Sequence, residues 1–398
     1  MNDPRIYLAV DNCFASKRWT APADWMRVIR DLGLSCVEAS ADTECDPLYM
    51  GRSYLKRWTE QVWDAAATTG VKVVNLYSGH GTYATLGLAH TEAAVRQRFL
   101  TEWLYPMSET AGTLNAGLGF FCHAFPDAVL QNPEQYAIAE RDLFQRLAEL
   151  AEHAAAVGCA TVGVEQMYTP HQIPWTIKGA EKLLREVNRC PGSPFYLTVD
   201  VGHQGGQRKF LRPGYGQLKE AFRRGLSAAD GFWLGPQSAY AAFATGTENP
   251  EPGENAAITR IEHEMDRYPY LFAAYEDGDP YLWLEALGGY SPIIHLQQTA
   301  GQGSAHLPFT AEHNRTGIIT GDKILRALLA SYRTDAPPDL PPRADRIYLT
   351  LEIFGGTAEM NRDLLRRLRE SVAYWRTFIP EDGLPLTQLL TQGINHHE

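Results

Sequence analysis

Glu165 in TVGVEQMY, Asp200 in FYLTVDVGH, His295 in SPIIHLQQ and Glu352 in IYLTLEIF each stand at or near the end of a short apolar or β-branched run. Such runs predict buried parallel strands, and a parallel α/β sheet carries its chemistry where those strands end. A charge buried there is costly unless something compensates for it. Three carboxylates and an imidazole supply the oxygen and nitrogen donors of a divalent-metal site. One such residue alone would read as a hydrogen-bonded structural group. Four in succession read differently, because neighbouring buried carboxylates repel unless a cation lies among them.

The elements that must position these residues alternate along the whole chain. Strands are predicted at Ile6–Asp11, Ser35–Ala39, Val71–Tyr77, Leu118–His123, Thr161–Glu165, Phe195–Asp200, Ile293–Leu296 and Ile347–Glu352. Helices are predicted between and after them, over Pro22–Leu32, about Ser53–Thr69, about Thr91–Ala111, 133–157, near Thr176–Val187, near Asp322–Ser331 and over Asn361–Arg376. The stretch 133–157 is the clearest helix, with Leu143, Leu147, Leu150 and Ala154 at helical spacing and Gly158 after it. Eight strand–helix repeats imply right-handed crossovers and a closed (β/α)8 TIM barrel of class α/β. An open doubly wound sheet is the alternative, but the first turn, DNCFASKR, has no glycine-rich phosphate loop.

One interval breaks the rhythm. Asp200 and His295 lie 95 residues apart, which points to a long insertion between strands six and seven, about residues 206–290. Its aromatics (Phe232, Trp233, Tyr240, Phe243, Tyr268, Tyr270) are too many for a disordered linker. It is expected to fold over the barrel mouth or to make a subunit contact, within a single domain spanning 1–398. The proline-rich Ala336–Asp345 reads as a stiff connector.

Composition narrows the partners. The 398 residues are 44% hydrophobic and 21% charged, with a net charge of −11 and no basic block. That balance argues against nucleic-acid or membrane-surface binding. The six cysteines are scattered without a C-x-x-C, and free thiols are expected. The N-terminal residues enter a strand without a signal-like region, and no apolar stretch reaches the roughly 18–20 residues of a membrane span. A cytoplasmic protein is expected, and a homo-oligomer, with the aromatic segment as a source of interface.

The ordered set VGVEQ, TVDVGH, IIHLQQ and TLEIF resembles the xylose isomerase-like TIM-barrel superfamily, in particular its ketose 3-epimerase, hydroxypyruvate isomerase and sugar-phosphate isomerase/epimerase branches. The resemblance covers roughly residues 5–205 and 290–376. It implies that Glu165, Asp200, His295 and Glu352 hold one divalent ion, with Mn2+ foremost and Mg2+, Co2+ or Zn2+ as alternatives. It also implies that His203, in the D-x-x-H motif, contacts a sugar-like small molecule. Two departures stand out. The second Glu that follows the strand-five ligand in such epimerases is missing, with His171 six residues on. In place of an Arg beyond the strand-seven His, the stretch LQQTAGQGSAHLPF has Gln297, Gln298 and His306.

Further candidates facing the same mouth are His80 in YSGHGTY, His123 in FFCHAF, Glu38 at the end of strand two, and Trp175. His171, Gln297 and His306 join them as substrate contacts. The chemistry implied is isomerisation or epimerisation of a hydroxy-carbonyl sugar through a cis-enediolate, with Glu165 and Glu352 as the acid/base pair. A lyase, decarboxylase or dehydratase using the same site is the alternative, with His171 or His123 as the acid. An endonuclease IV-like nuclease would draw on His80, His123, His203 and His306. Against it, Ser304-Ala305-His306 stands where that branch has an Asp-x-His pair, and the acidic balance opposes a phosphate backbone.

Overall fold

The computed structural model describes residues 3–79, 86–189, 192–225, 231–248 and 253–394. Its eight β-branched and apolar runs are the strands Arg5–Asp11 (β1), Cys36–Ser40 (β2), Lys72–Tyr77 (β3), Gly117–Phe120 (β4), Val162–Glu165 (β5), Tyr196–Asp200 (β6), Ile293–Leu296 (β7) and Arg346–Leu351 (β8). Each pairs in parallel with the next, β8 pairs with β1, and β1 pairs with β2, which closes the barrel. The open-sheet alternative is thereby excluded. A short strand, Leu384–Pro385, not anticipated from the sequence, runs antiparallel to β1 at Arg5 and Ile6.

Eight helices cover the barrel: Pro22–Asp31 (α1), Pro47–Thr69 (α2), Tyr105–Leu114 (α3), Pro133–Ala156 (α4), Ile177–Val187 (α5), Pro280–Leu287 (α6), Gly321–Arg333 (α7) and Asn361–Arg376 (α8). Their starts follow local chemistry. The Asp46 carboxylate accepts from the N–H groups of Leu48 (2.8 Å) and Tyr49 (3.2 Å). Asn132 does the same for Glu134 and Gln135, each at 3.1 Å. Each is followed by a proline whose missing N–H costs nothing there. Gly70 ends α2 with φ +76°.

The segment between β6 and β7 is helical, not irregular: Tyr215–Arg223, Gln237–Glu248 and Glu254–Asp266 are helices of their own. Its last part is not an insertion, because α6 packs against β6, α5 and α7 as the sixth helix of the barrel. The remainder docks on the loop before α4, where the Tyr268 and Tyr270 hydroxyls donate to the carbonyls of Gln131 and Leu130. Arg208 ties it to the loop after β7, donating to Gly278 O (2.9 Å) and Gly301 O (3.1 Å). Among the described residues, Cys13, Cys36, Cys45, Cys122 and Cys159 are free thiols. No described helix is long and apolar enough to cross a membrane.

Candidate metal centre and active site

Strand register brings the acidic residues together. Asp200 on β6 is the Cα partner of His295 on β7, and Asp11 on β1 is the partner of Glu38 on β2. Because side chains alternate along a strand, these residues and Asn75, Tyr77, Glu165 and Glu352 all turn into the barrel near its C-terminal end. Space for them comes from β4. A Cβ at Gly117 would lie 2.6 Å from Asn75 Oδ1, and one at Gly119 would lie 3.0 Å from both Asn75 Nδ2 and Tyr77 Cδ2.

His295 is fully buried at the centre. Its Nε2 lies 2.7 Å from Glu38 Oε1, and the other Glu38 oxygen accepts from Asn75 Nδ2 at 2.5 Å. Its Nδ1 lies 3.1 Å from Glu165 Oε1 and 3.6 Å from Glu352 Oε2. Glu165 also accepts a hydrogen bond from the Tyr77 hydroxyl. One donor atom from each of Glu165, Asp200, His295 and Glu352 lies within 4.8 Å of every other. A cavity of about 200 Å³ opens beside them, lined by Asp11, Tyr77, Tyr168, His203, His306 and Phe354 among others.

Electrostatics show what this cluster lacks. Asp11, Glu38, Glu165, Asp200 and Glu352 are all buried, and no Lys or Arg is among the described cavity residues. Burial, then Glu38 and Glu352, push the Asp11 carboxyl well above the usual carboxylate range. Burial alone would lower His295, but the Glu38 and Glu352 carboxylates win and hold it well above an ordinary imidazole. His306 is likewise raised to about 9, Glu352 overcoming the effect of burial. Asp200 stays below the usual range in spite of its burial because His203, His306, His295 and the Gly202 N–H face it. Two raised imidazoles do not balance the four buried carboxyls that remain beside Asp11. A divalent ion fits both the charge and the donor set. Glu38 behind His295 Nε2 leaves Nδ1 turned to the other donors, the arrangement usual for a metal-bound imidazole.

The remaining sequence candidates divide. His203 lines the cavity, its Nδ1 2.7 Å from the Gln166 carbonyl and its Nε2 3.5 Å from Asp200 Oδ2. His306 lines it too, with Nδ1 3.2 Å from Glu352 Oε2. Glu38 does not face the cavity, because its carboxylate is spent on His295 and Asn75. Gln297 is fully buried against Asp200. His123 lies three residues past the end of β4, packed edge-on against Phe99 and off the cavity wall. His171 Nδ1 is engaged with the Phe125 carbonyl at 2.8 Å, also off the wall. Trp175 packs edge-on against Phe210 in a separate cleft beside α4 and α5. Its expected place at the mouth is not met, since the inserted segment covers it. His80 lies outside the described residues. Asp11, Tyr168, Ser304 and Phe354 were not anticipated. Asp11 carried the same signal as the others, an acid closing the strand YLAVD.

A family model described as a xylose isomerase-like TIM barrel matches residues 26–210. The D-erythrulose 1-phosphate 3-epimerase of Brucella abortus (strain 2308) is 23% identical over 368 residues, covering 91% of this chain and 93% of the relative. A Rhodospirillum rubrum structure provisionally described as a xylose isomerase superposes with a TM-score of 0.64 at 18% identity, over 93% of this chain and 98% of the other. The structure of a D-tagatose 3-epimerase-like protein gives 0.55 at 13% identity, over 98% and 99%. Ring closure and these likenesses agree on the fold: the chain is a (β/α)8 barrel, similar to the xylose isomerase-like barrels over the matched residues.

Proposed function

We propose that this chain is a divalent-metal-dependent epimerase or isomerase of a ketose or related hydroxy-carbonyl sugar. The carrying observation is that Glu165 and Glu352 border one small cavity from strands three places apart in the ring. A ketose held between them would present one face of its carbon to each. Glu165, Asp200, His295 and Glu352 would hold the ion, with Mn2+ the first choice. When bound, such an ion polarises the substrate carbonyl and acidifies the neighbouring C–H.

The chain's own groups do the rest. One glutamate takes the proton from carbon, and the other returns one from the opposite side, which inverts the centre. Tyr77 fixes the Glu165 carboxylate by donating to it, so that glutamate enters already oriented. His306 stands over Glu352 and can hold a proton close to it. His203, fixed by the Gln166 carbonyl, turns its Nε2 edge toward Asp200 and the cavity. Tyr77, Phe121, Tyr168 and Phe354 give the cavity aromatic walls. The Brucella relative acts, by its name, on a four-carbon ketose phosphate, and a cavity of about 200 Å³ suits a short chain.

The test is incubation of the Mn2+-loaded protein in deuterated water with D-erythrulose, D-erythrulose 1-phosphate and a panel of longer free and phosphorylated ketoses. Deuterium entering at the carbon beside the carbonyl, with the epimer or aldose as product, supports the reading. Loss of water or carbon dioxide would point to the lyase alternative, and absence of exchange across the panel would remove the proposal.

A further inference from the structure

One side chain links the loop after β7 to the candidate metal ligands. The Gln297 amide nitrogen lies 2.9 and 2.8 Å from the two oxygens of Asp200. Its amide oxygen accepts from the backbone N–H of Ala305 (3.1 Å) and His306 (2.6 Å). His306 itself has φ +45°, a left-handed backbone disfavoured for a residue with a Cβ. The paired bonds to Gln297 hold it there, together with the backbone pair of Gln298 and Leu307 beside it. In that conformation the ring reaches Glu352 Oε2 at 3.2 Å through Nδ1 and Ser304 Oγ at 3.0 Å through Nε2.

The glycine of Asp200-Val-Gly-His203 belongs to the same knot. A Cβ at Gly202 would lie 2.2 Å from Gln297 Cδ, so only glycine lets that side chain lie over Asp200. The Gly202 N–H also donates to Asp200 Oδ1 at 2.6 Å. Glutamine suits the position because one neutral group offers donors at one end and an acceptor at the other. A glutamate there would set another carboxylate against Asp200.

We propose that Gln297 is a positioning residue that joins the Asp200 carboxylate to His306, so that cation occupancy at Asp200 and the placement of His306 over the cavity are one linked equilibrium. The proposal rests on the metal reading above. Linkage makes it reciprocal: whatever loosens the His306 loop weakens the cation, and the cation stiffens the loop. The departure from the epimerase pattern beyond the strand-seven histidine thus acquires a role.

The test uses the full-length, metal-stripped chain. Mn2+ affinity is measured by calorimetry for the natural protein, Gln297→Met and Gly202→Ala, and hydrogen exchange of the Ala305 and His306 amides is followed with and without Mn2+. Expected is an affinity loss of about 10–100-fold in each variant. Mn2+ slows the two amides in the natural protein and leaves them unchanged in the variants. A merely structural role would lower the melting temperature without moving the affinity of the folded variants. Unchanged Mn2+ affinity in both variants, or amides in the natural protein indifferent to Mn2+, overturns the linkage and leaves the metal reading standing. A natural protein that binds no Mn2+ overturns both.

Discussion

The two ends of the barrel hold cavities of opposite character. At the N-terminal end, where the strands begin, a cleft of about 800 Å³ is lined by Trp63, Lys72, Tyr196, Arg343, Asp345 and Arg346 among others. At the C-terminal end the cavity is about 200 Å³. The larger one keeps most of its ionic groups in solvent, with Lys72, Asp345 and Arg346 exposed and Arg343 half-buried. The smaller one gathers carboxyls and imidazoles that have lost their water. Desolvation gives charges strength over one another and over a ligand, so the small cavity is where chemistry can be done.

The sharpest way to break this contrast is at the two glutamates. Glu165→Gln and Glu352→Gln are each expected to lower turnover by about 10³-fold or more, read as solvent deuterium exchange. Lys72→Ala or Arg346→Ala at the other end should leave it within about twofold. Comparable losses at both ends would dissolve the distinction. Next in size is the ion itself. Chelation should abolish exchange and Mn2+ restore it, while Mn2+ at about 100 times its Kd should stabilise the fold by about 2.7 kcal/mol in thermal melts.

Behind the ligands, Glu38→Gln should weaken Mn2+ binding by about 10–100-fold with the fold retained. A wild-type affinity in that variant would show that His295 needs no orienting partner. The smallest effect concerns a buried carboxyl that lines neither of these two cavities. Glu44 accepts from the Trp25 indole N–H at 2.5 Å, and burial raises its pKa from 4.5 to about 7 against the indole hydrogen bonds. The folded state therefore binds its proton more tightly than the unfolded chain does. Its stability contribution is full below about pH 4.5, declines as pH rises to about 7, and is flat above that. Urea melts should show a decline of about 3 kcal/mol over that window. Glu44→Gln should flatten it, and an unaltered slope in the variant would assign the pH dependence elsewhere.

Much of this architecture was legible in the chain. β7 and α8 fall on the residues that periodicity predicts, and the other strands within a residue or two of theirs, save β4, which ends at Phe120 and leaves His123 in a loop. The inserted segment was harder. Its aromatic content signalled a packed region, but α6 was hidden inside it, because an apolar run such as PYLWLEAL does not say which helix layer it joins. Trp175 was placed at the mouth because it follows β5. Its actual neighbour, Phe210, lies 35 residues on, and no local pattern reports a contact of that kind.

The sequence by itself determined the eight strands, the four donors at their ends and the order in which they stand, because alternation and apolar runs are local properties of the chain. Only the tertiary structure decided what each polar side chain is spent on. Glu38 serves His295, Gln297 serves Asp200 and the His306 backbone, and Asp11 joins the buried acids. Those assignments depend on register around a closed ring and on the empty space left by Gly117, Gly119 and Gly202. They are distances between residues remote in the chain, which folding alone sets.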